Sequence, residues 1–277
     1  MPFANSCMQI KFRTRSNQGG NSMKFSKLIP ALLFLSCVTA QAQTLDAVDR
    51  GWLRDNPMNG NVESIATVQN YLAGRGLIAS TPTGTIRGEY RNFFVFDLGA
   101  FAGKTFSSAE LSLYNPQYGD PGTTTSNPNM LGGFYQGGVN AFPYETYQLQ
   151  HVTTAPSAFI NATAGRGGYD DLGDGATLGS YNASLSDNGS FIRISLNGSG
   201  LSALNAAAGG LFVIGGRVTT LAGDTGSQTI FGFTNDNNMA STQLRLVTAV
   251  PEPETYAMLL GGLTVLGLRL RRRKTSA

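Results

Sequence analysis

Asn92-Phe93-Phe94-Val95-Phe96-Asp97-Leu98 is a nearly continuous apolar run, five of its seven residues being aromatic, β-branched or leucine. A run this short, rich in such residues, reads as a strand buried on both faces. The flanking sequence repeats strand signals. Glu110-Leu111-Ser112-Leu113-Tyr114 alternates, putting Ala109, Leu111 and Leu113 on one face,. Ile192-Arg193-Ile194-Ser195-Leu196 alternates likewise, and Leu211-Phe212-Val213-Ile214 is a second run of the buried type. Weaker candidates lie at Ala47–Leu53, Ala66–Leu72, Glu145–His151, Thr229–Phe233 and Gln243–Thr248. Gly, Asn, Asp and Pro separate these stretches, so roughly nine or ten strands are expected, the number that suits an all-β, two-sheet β-sandwich. One segment breaks the pattern. Leu201-Ser202-Ala203-Leu204-Asn205-Ala206-Ala207-Ala208, followed by Gly209-Gly210, predicts one short helix across an end of the sandwich, with Ser199 or Ser202 at its start and the glycines at its stop,. Residues 115–142 form a long polar insertion.

The 277 residues include 35 glycines, and 13% are charged, a profile of a loop-rich β protein with enough apolar residues (41%) to build a core,. The net charge of +3 misleads until it is divided by region. Residues 1–42 carry five basic side chains and no acid, and residues 250–277 carry five basic side chains against Glu252 and Glu254. The middle, 43–249, keeps ten basic and fifteen acidic residues. That balance argues against a nucleic-acid surface. Both cysteines, Cys7 and Cys37, also precede residue 43, so a domain starting there has neither disulfides nor thiolate metal sites,.

The two ends are patterned differently from the middle. Met23-Lys24-Phe25-Ser26-Lys27 is a short positive stretch, Leu28–Val38 is apolar, and Ala40-Gln41-Ala42 is a small-x-small site before Gln43. This order predicts a signal peptide cut by signal peptidase, with residues 1–22 an upstream extension and Met23 the start. At the other end, Val250-Pro251-Glu252-Pro253-Glu254 interrupts regular structure, Thr255–Leu268 is apolar, and Arg269, Arg271, Arg272, Arg273 and Lys274 form a stop-transfer block,. The apolar stretch predicts a short transmembrane helix suited to transient retention in the inner membrane. Three regions follow: 1–42, the 43–249 sandwich, and 250–277.

This tail resembles the PEP-CTERM sorting signal, with Pro251-Glu252-Pro253 matching the motif, followed by helix and arginine cluster in order. The resemblance implies recognition by an exosortase, cleavage near the motif, a Gram-negative bacterium that makes exopolysaccharide, and delivery to the cell surface or extracellular matrix. The middle is also similar to a domain of other PEP-CTERM proteins, through Asp49-Arg50-Gly51-Trp52, Asn70-Tyr71-Leu72-Ala73-Gly74, Arg91–Leu98 and Asp171-Leu172-Gly173-Asp174-Gly175. That similarity implies a jelly-roll-like fold of unassigned activity.

Chemistry-bearing motifs are sparse. His151 is the lone histidine, at a predicted strand end, and no Gly-x-Ser-x-Gly elbow occurs,. Asp97, Glu110, Glu145, Asp170, Asp171 and Asp174 supply carboxylates, but no local pattern selects a glycosidase pair,. Asp97 is expected to tie down the turn after its strand. Asp170, Asp171 and Asp174 on a glycine-rich segment suit either hard oxygen ligation of Ca²⁺ or a plain turn,. Tyr118, Tyr135 and Tyr144 near the long insertion are candidates for stacking on sugar rings, whereas Trp52 reads as core,. The expectation is a non-enzymatic surface or matrix protein, structural or adhesive and associated with exopolysaccharide. A carbohydrate-binding module is the alternative, and a polysaccharide-active enzyme ranks third. N-terminal sequencing of the exported protein is expected to begin at Gln43; a chain beginning at residue 1 or 23 would refute the signal peptide.

Overall fold

In the computed structural model the described residues are 42–65, 71–116, 135–136, 144–221, 227–231, 241–249, 259–265 and 267. The chain divides into two units, 1–37 and 38–277, and every described residue belongs to the second. The strands are β1 (Ala42–Asp46), β2 (Asp49–Asn56), β3 (Asn61–Ile65), β4 (Ala73–Thr81), β5 (Gly84–Asp97), β6 (Phe106–Asn115), β7 (Tyr135–Gln136), β8 (Glu145–His151), β9 (Thr177–Ala183), β10 (Ser190–Ser195), β11 (Leu211–Val218), β12 (Gln228–Ile230) and β13 (Thr242–Thr248). The helices are α1 (Pro156–Ile160), α2 (Gly165–Asp174) and α3 (Gly198–Ala206).

The strands make two antiparallel sheets. The smaller has the order β1-β13-β6-β10; the larger has nine strands built around β5. β5 is long enough to carry three partners. β2 pairs with it from Val95 to Glu89, while β4 pairs from Tyr90 to Gly84 and β11 from Asp97 to Asn92. Because β2 occupies one edge throughout, β4 and β11 must share the other, one after the other, and the edge forks between Tyr90 and Asn92.

Asn92 fills that fork. Its Nδ2 donates to the Tyr71 carbonyl at 2.7 Å, and its Oδ1 accepts from the Tyr147 hydroxyl at 2.7 Å. Both groups lie away from water, and Asn92 gives each of them a partner,. Space for the second bond depends on Gly216, where a Cβ would collide with the Tyr147 hydroxyl and with Asn92 Oδ1. The aromatic rings then close around the fork. Tyr147 stands edge-on to Phe231 at 5.1 Å, and Tyr71 meets Phe94 and Phe231, each at 5.6 Å. Phe231 adopts a left-handed backbone (φ 58°), held by its N–H donating to Asn115 Oδ1 at 3.0 Å,.

Residues alternate along β5. Phe94 and Phe96 enter the core between the sheets with Leu111, Leu113, Leu244, Leu246, Ile192 and Ile194. Phe93 and Val95 face the other way, into a second core beneath α1 and α2, with Leu53, Phe159, Tyr169 and Leu172. The quoted run is therefore apolar on both sides because it is the middle of three layers.

The all-β sandwich stands, with strands at most expected places and β8 at the expected bounds. Two expectations change. First, the described residues contain thirteen strands rather than nine or ten. β1, β3, β4, β7 and β9 were not expected, while the Ala66–Leu72 candidate falls largely outside the described residues and its Tyr71 and Leu72 are not in a strand. Secondly, one helix becomes three. α3 lies where a helix was predicted, but Asn197 caps it, accepting from Gly200 N at 2.9 Å, rather than Ser199 or Ser202. α2, with four glycines in ten residues, has little intrinsic helix propensity, and tertiary contact decides it,. The expected transmembrane helix falls largely outside the described residues: the C-terminal segment is described only as helix at 259–265 and as residue 267, and no described helix is long and apolar enough to cross a membrane.

Replacing Asn92 with Ala removes its bonds to the Tyr71 carbonyl and the Tyr147 hydroxyl together. A loss of about 2–4 kcal/mol is expected, read by urea melts of the processed protein. A loss under about 0.5 kcal/mol, the level of a surface change, would refute the role given to the fork.

Candidate functional site

The smaller sheet brings the two ends of the sandwich together. β1 runs antiparallel to β13, with Ala42 opposite Val247 and Gln43 opposite Leu246. Beyond β13, Ala249 N–H donates to the Thr105 carbonyl at 2.7 Å. The predicted cleavage residues Ala42 and Gln43 are thus an edge strand, while Ala40 lies outside the described residues. Val250, Pro251, Glu252 and Pro253, and Arg269, Arg271, Arg272, Arg273 and Lys274, also lie outside them. The described part of the tail helix exposes Leu259, Leu260, Leu263 and Val265.

The same sheet has an open face. Directly opposed residues share a face, so the inward Leu111, Leu113, Leu244, Leu246, Ile192 and Ile194 leave their neighbours outward,. Across the strands run the rows Asp46–Gln243–Ser112–Arg193 and Thr44–Arg245–Glu110–Ser195. Gln243 Nε2 donates to Asp46 Oδ1 at 2.8 Å. At one end of this polar surface, Phe191 is 46% exposed and its ring lies 5.3 Å from that of Tyr114. Phe191 was not among the expected residues. It was findable, since it is out of step with the inward Ile192 and Ile194, and an aromatic at an outward position is informative.

On the opposite side of the molecule, charged groups pack around α2. The Arg91 guanidinium lies 4.2 Å from the Tyr169 ring centre and donates to the Tyr169 and Asp170 carbonyls at 3.0 and 3.3 Å and to Glu89 at 3.1 Å. Arg166 approaches the same ring at 5.4 Å and donates to Asp55 at 2.6 Å. A side chain on Gly173 would collide with Arg91, so glycine here allows the helix to lie against the guanidinium,. Asp55, Arg75, Arg87 and Glu89 line a neighbouring groove of about 460 Å³.

Asp170, Asp171 and Asp174 therefore stand on a helix rather than in a turn. Asp171 is already engaged, accepting from the backbone N–H groups of Thr153 and Thr154 at 2.8 and 2.6 Å. Burial alone would raise its carboxyl, but the Thr154 and Thr153 donors outweigh that and hold it below the usual carboxylate range. Among the described residues no three His, Cys, Asp or Glu side chains converge on a point that could hold a metal ion.

Tyr118 lies outside the described residues; Tyr135 is in β7, its backbone paired with Thr229; Tyr144 is partly exposed, just before β8. Trp52 is buried with Leu72 and Tyr90, as expected of core. Asp97 accepts from Gly99 N at 2.8 Å, tying down the turn. Glu145 is buried, accepting from Gln228 Nε2 at 2.9 Å and from the Thr220 hydroxyl. His151 lines a groove of about 530 Å³ with Ser199 and Ser202, and no described hydrogen bond joins it to either hydroxyl.

A sandwich whose last strand runs directly into a breaker, an apolar stretch and an arginine block belongs to the class of exported proteins with a C-terminal sorting tail. Residues 249–274 match the family model of the PEP-CTERM protein-sorting motif. The chain thus carries a PEP-CTERM signal and is a substrate of exosortase sorting. No curated protein matches the chain.

Because the folded Asp171 carboxyl is lowered, its contribution is full above the unfolded value near pH 4 and is lost as pH falls through the folded value. Asp171→Asn is expected to lower Tm by a few degrees at pH 7, with the gap to the parent narrowing below about pH 4. A gap that does not change with pH would refute it. A calcium chelator is expected to leave the parent Tm unchanged; a clear fall would restore the Asp170, Asp171 and Asp174 ligand set.

Proposed function

We propose that the chain is exported through a signal peptide, held briefly at the inner membrane by its tail, and released by an exosortase to the cell surface or extracellular matrix. There it acts as a structural or adhesive component associated with exopolysaccharide, and it works by binding rather than turnover. The observation that carries this reading is the sorting motif at 249–274, joined without a linker to the last strand of the sandwich. An acidic, cysteine-free domain suits the destination, since it depends on no redox state,.

A carbohydrate-binding role is the second reading, favoured by one observation. The open face offers an aromatic pair, Phe191 and Tyr114, beside rows of hydroxyl, amide and charged groups. Sugar rings are recognised by this combination of an apolar face and fixed polar partners.

Replacing Pro251, Glu252 and Pro253 by Ala is expected to leave the tail-bearing form in the membrane fraction, detected by intact mass. Normal tail removal would refute sorting at the motif. Processed protein is expected to bind the producing organism's exopolysaccharide, and Phe191→Ala to weaken that binding about fivefold or more, as loss of one stacking ring would. Unchanged binding by the variant would refute the open face as the contact surface, and no binding by the parent would refute the association itself.

A further inference from the structure

We infer that the β1–β13 ladder closes the signal-peptide junction, so that the signal peptide must be removed before β13 docks. The inference rests on the export reading above and adds an order of events to it.

The bond to be cut, Ala42–Gln43, lies within β1, whose one described partner is β13. Ala42 pairs with Val247 and Gln43 with Leu246, at the roughly 5 Å spacing of antiparallel partners,. Hydrolysis gives Ala42 a carboxylate and Gln43 a free amine, one water being consumed, and the peptidase must hold the residues on both sides of the bond as an extended strand. In the folded domain that strand is already hydrogen-bonded to β13. Its Leu45 also packs on the core between the sheets. Freeing the junction then means peeling β1 from the sheet.

Synthesis provides the interval. About 200 residues separate β1 from β13, so at about 5–20 residues per second β13 is made about 10–40 s after β1. During that time residues 42–46 have no sheet to join, since β13 lies between β1 and β6. Once β13 docks, Ala42, at the start of β1, lies opposite Val247, near the end of β13. Three residues from Val247 to Val250 span at most about 11 Å.

The test uses the full chain in exporting cells, with Cys7→Ser and Cys37→Ser, and with Thr44→Cys and Arg245→Cys on the outward faces of paired positions. These cysteines form a disulfide only when β1 and β13 are in register. Chains are made during reversible inhibition of signal peptidase, the inhibitor is washed out, and intact mass follows residues 1–42. Cross-linked precursor is expected to be cut at least tenfold more slowly than chains made after wash-out, and the parent precursor that folded during inhibition is expected to be similarly slow. Equal rates would overturn the inference while leaving export intact. Absence of the cross-link would overturn the ladder. Failure to cut chains made after wash-out would overturn the signal peptide itself, and the inference with it.

Discussion

The side chain of Asn92 bonds in two directions because two strands leave the same edge of β5 at that point. A regular sheet satisfies its backbone by continuing, but a fork leaves a carbonyl and a gap with no strand to fill them. Asn is suited to the position, having a donor and an acceptor on one short planar group. With Tyr71 and Tyr147 fixed by it, the rings of Phe94 and Phe231 have surfaces to pack on, and the left-handed turn at Phe231 is set between Asn115 and the rings. The two halves of the large sheet then lie over one core rather than separating into two smaller sheets.

The layers on the two sides of β5 are built by different means. Between the sheets, branched and aromatic side chains interdigitate in the usual way,. On the other side, a glycine-rich helix is laid close to the sheet, and arginines fill the space that larger side chains would take. Arg91 contributes its alkyl stem, its planar face against Tyr169 and its donors to helix carbonyls together,. Lysine would retain the charge but neither the stacking nor the fork of donors. Among the described residues, the open face of the smaller sheet has no such cover over its exposed residues, and its rows of polar side chains are the ordinary outward half of an alternating pattern.

What the amino-acid sequence reveals differs by element in a physically intelligible way. Asn92–Leu98, Glu110–Tyr114 and Ile192–Leu196 were legible because burial is written into their period. β4 was not, since Ala73-Gly74-Arg75-Gly76 lacks apolar alternation and its place depends on close backbone approach to β5 and β12. α2 was unreadable for the same reason, because Gly168 and Gly173 look like turn residues until Arg91 and the sheet are present. The sorting tail was fully legible, as a linear signal needs no folding to be recognised. Of the surface candidates, Phe191 was visible in principle through its phase, whereas Tyr118, Tyr135 and Tyr144 were selected by proximity to a loop, and Tyr118 lies outside the described residues.

β1 also has a consequence for solubility. β13 is an apolar strand, Thr242-Gln243-Leu244-Arg245-Leu246-Val247-Thr248, with β6 on one side and only the five residues of β1 on the other. Removing residues 42–46 would turn β13 into an open sheet edge, offering its backbone groups to another chain,. On the proposed export route, the place of signal-peptide cleavage would therefore set more than an address. It would decide whether the domain ends in a covered strand or in a template for self-association.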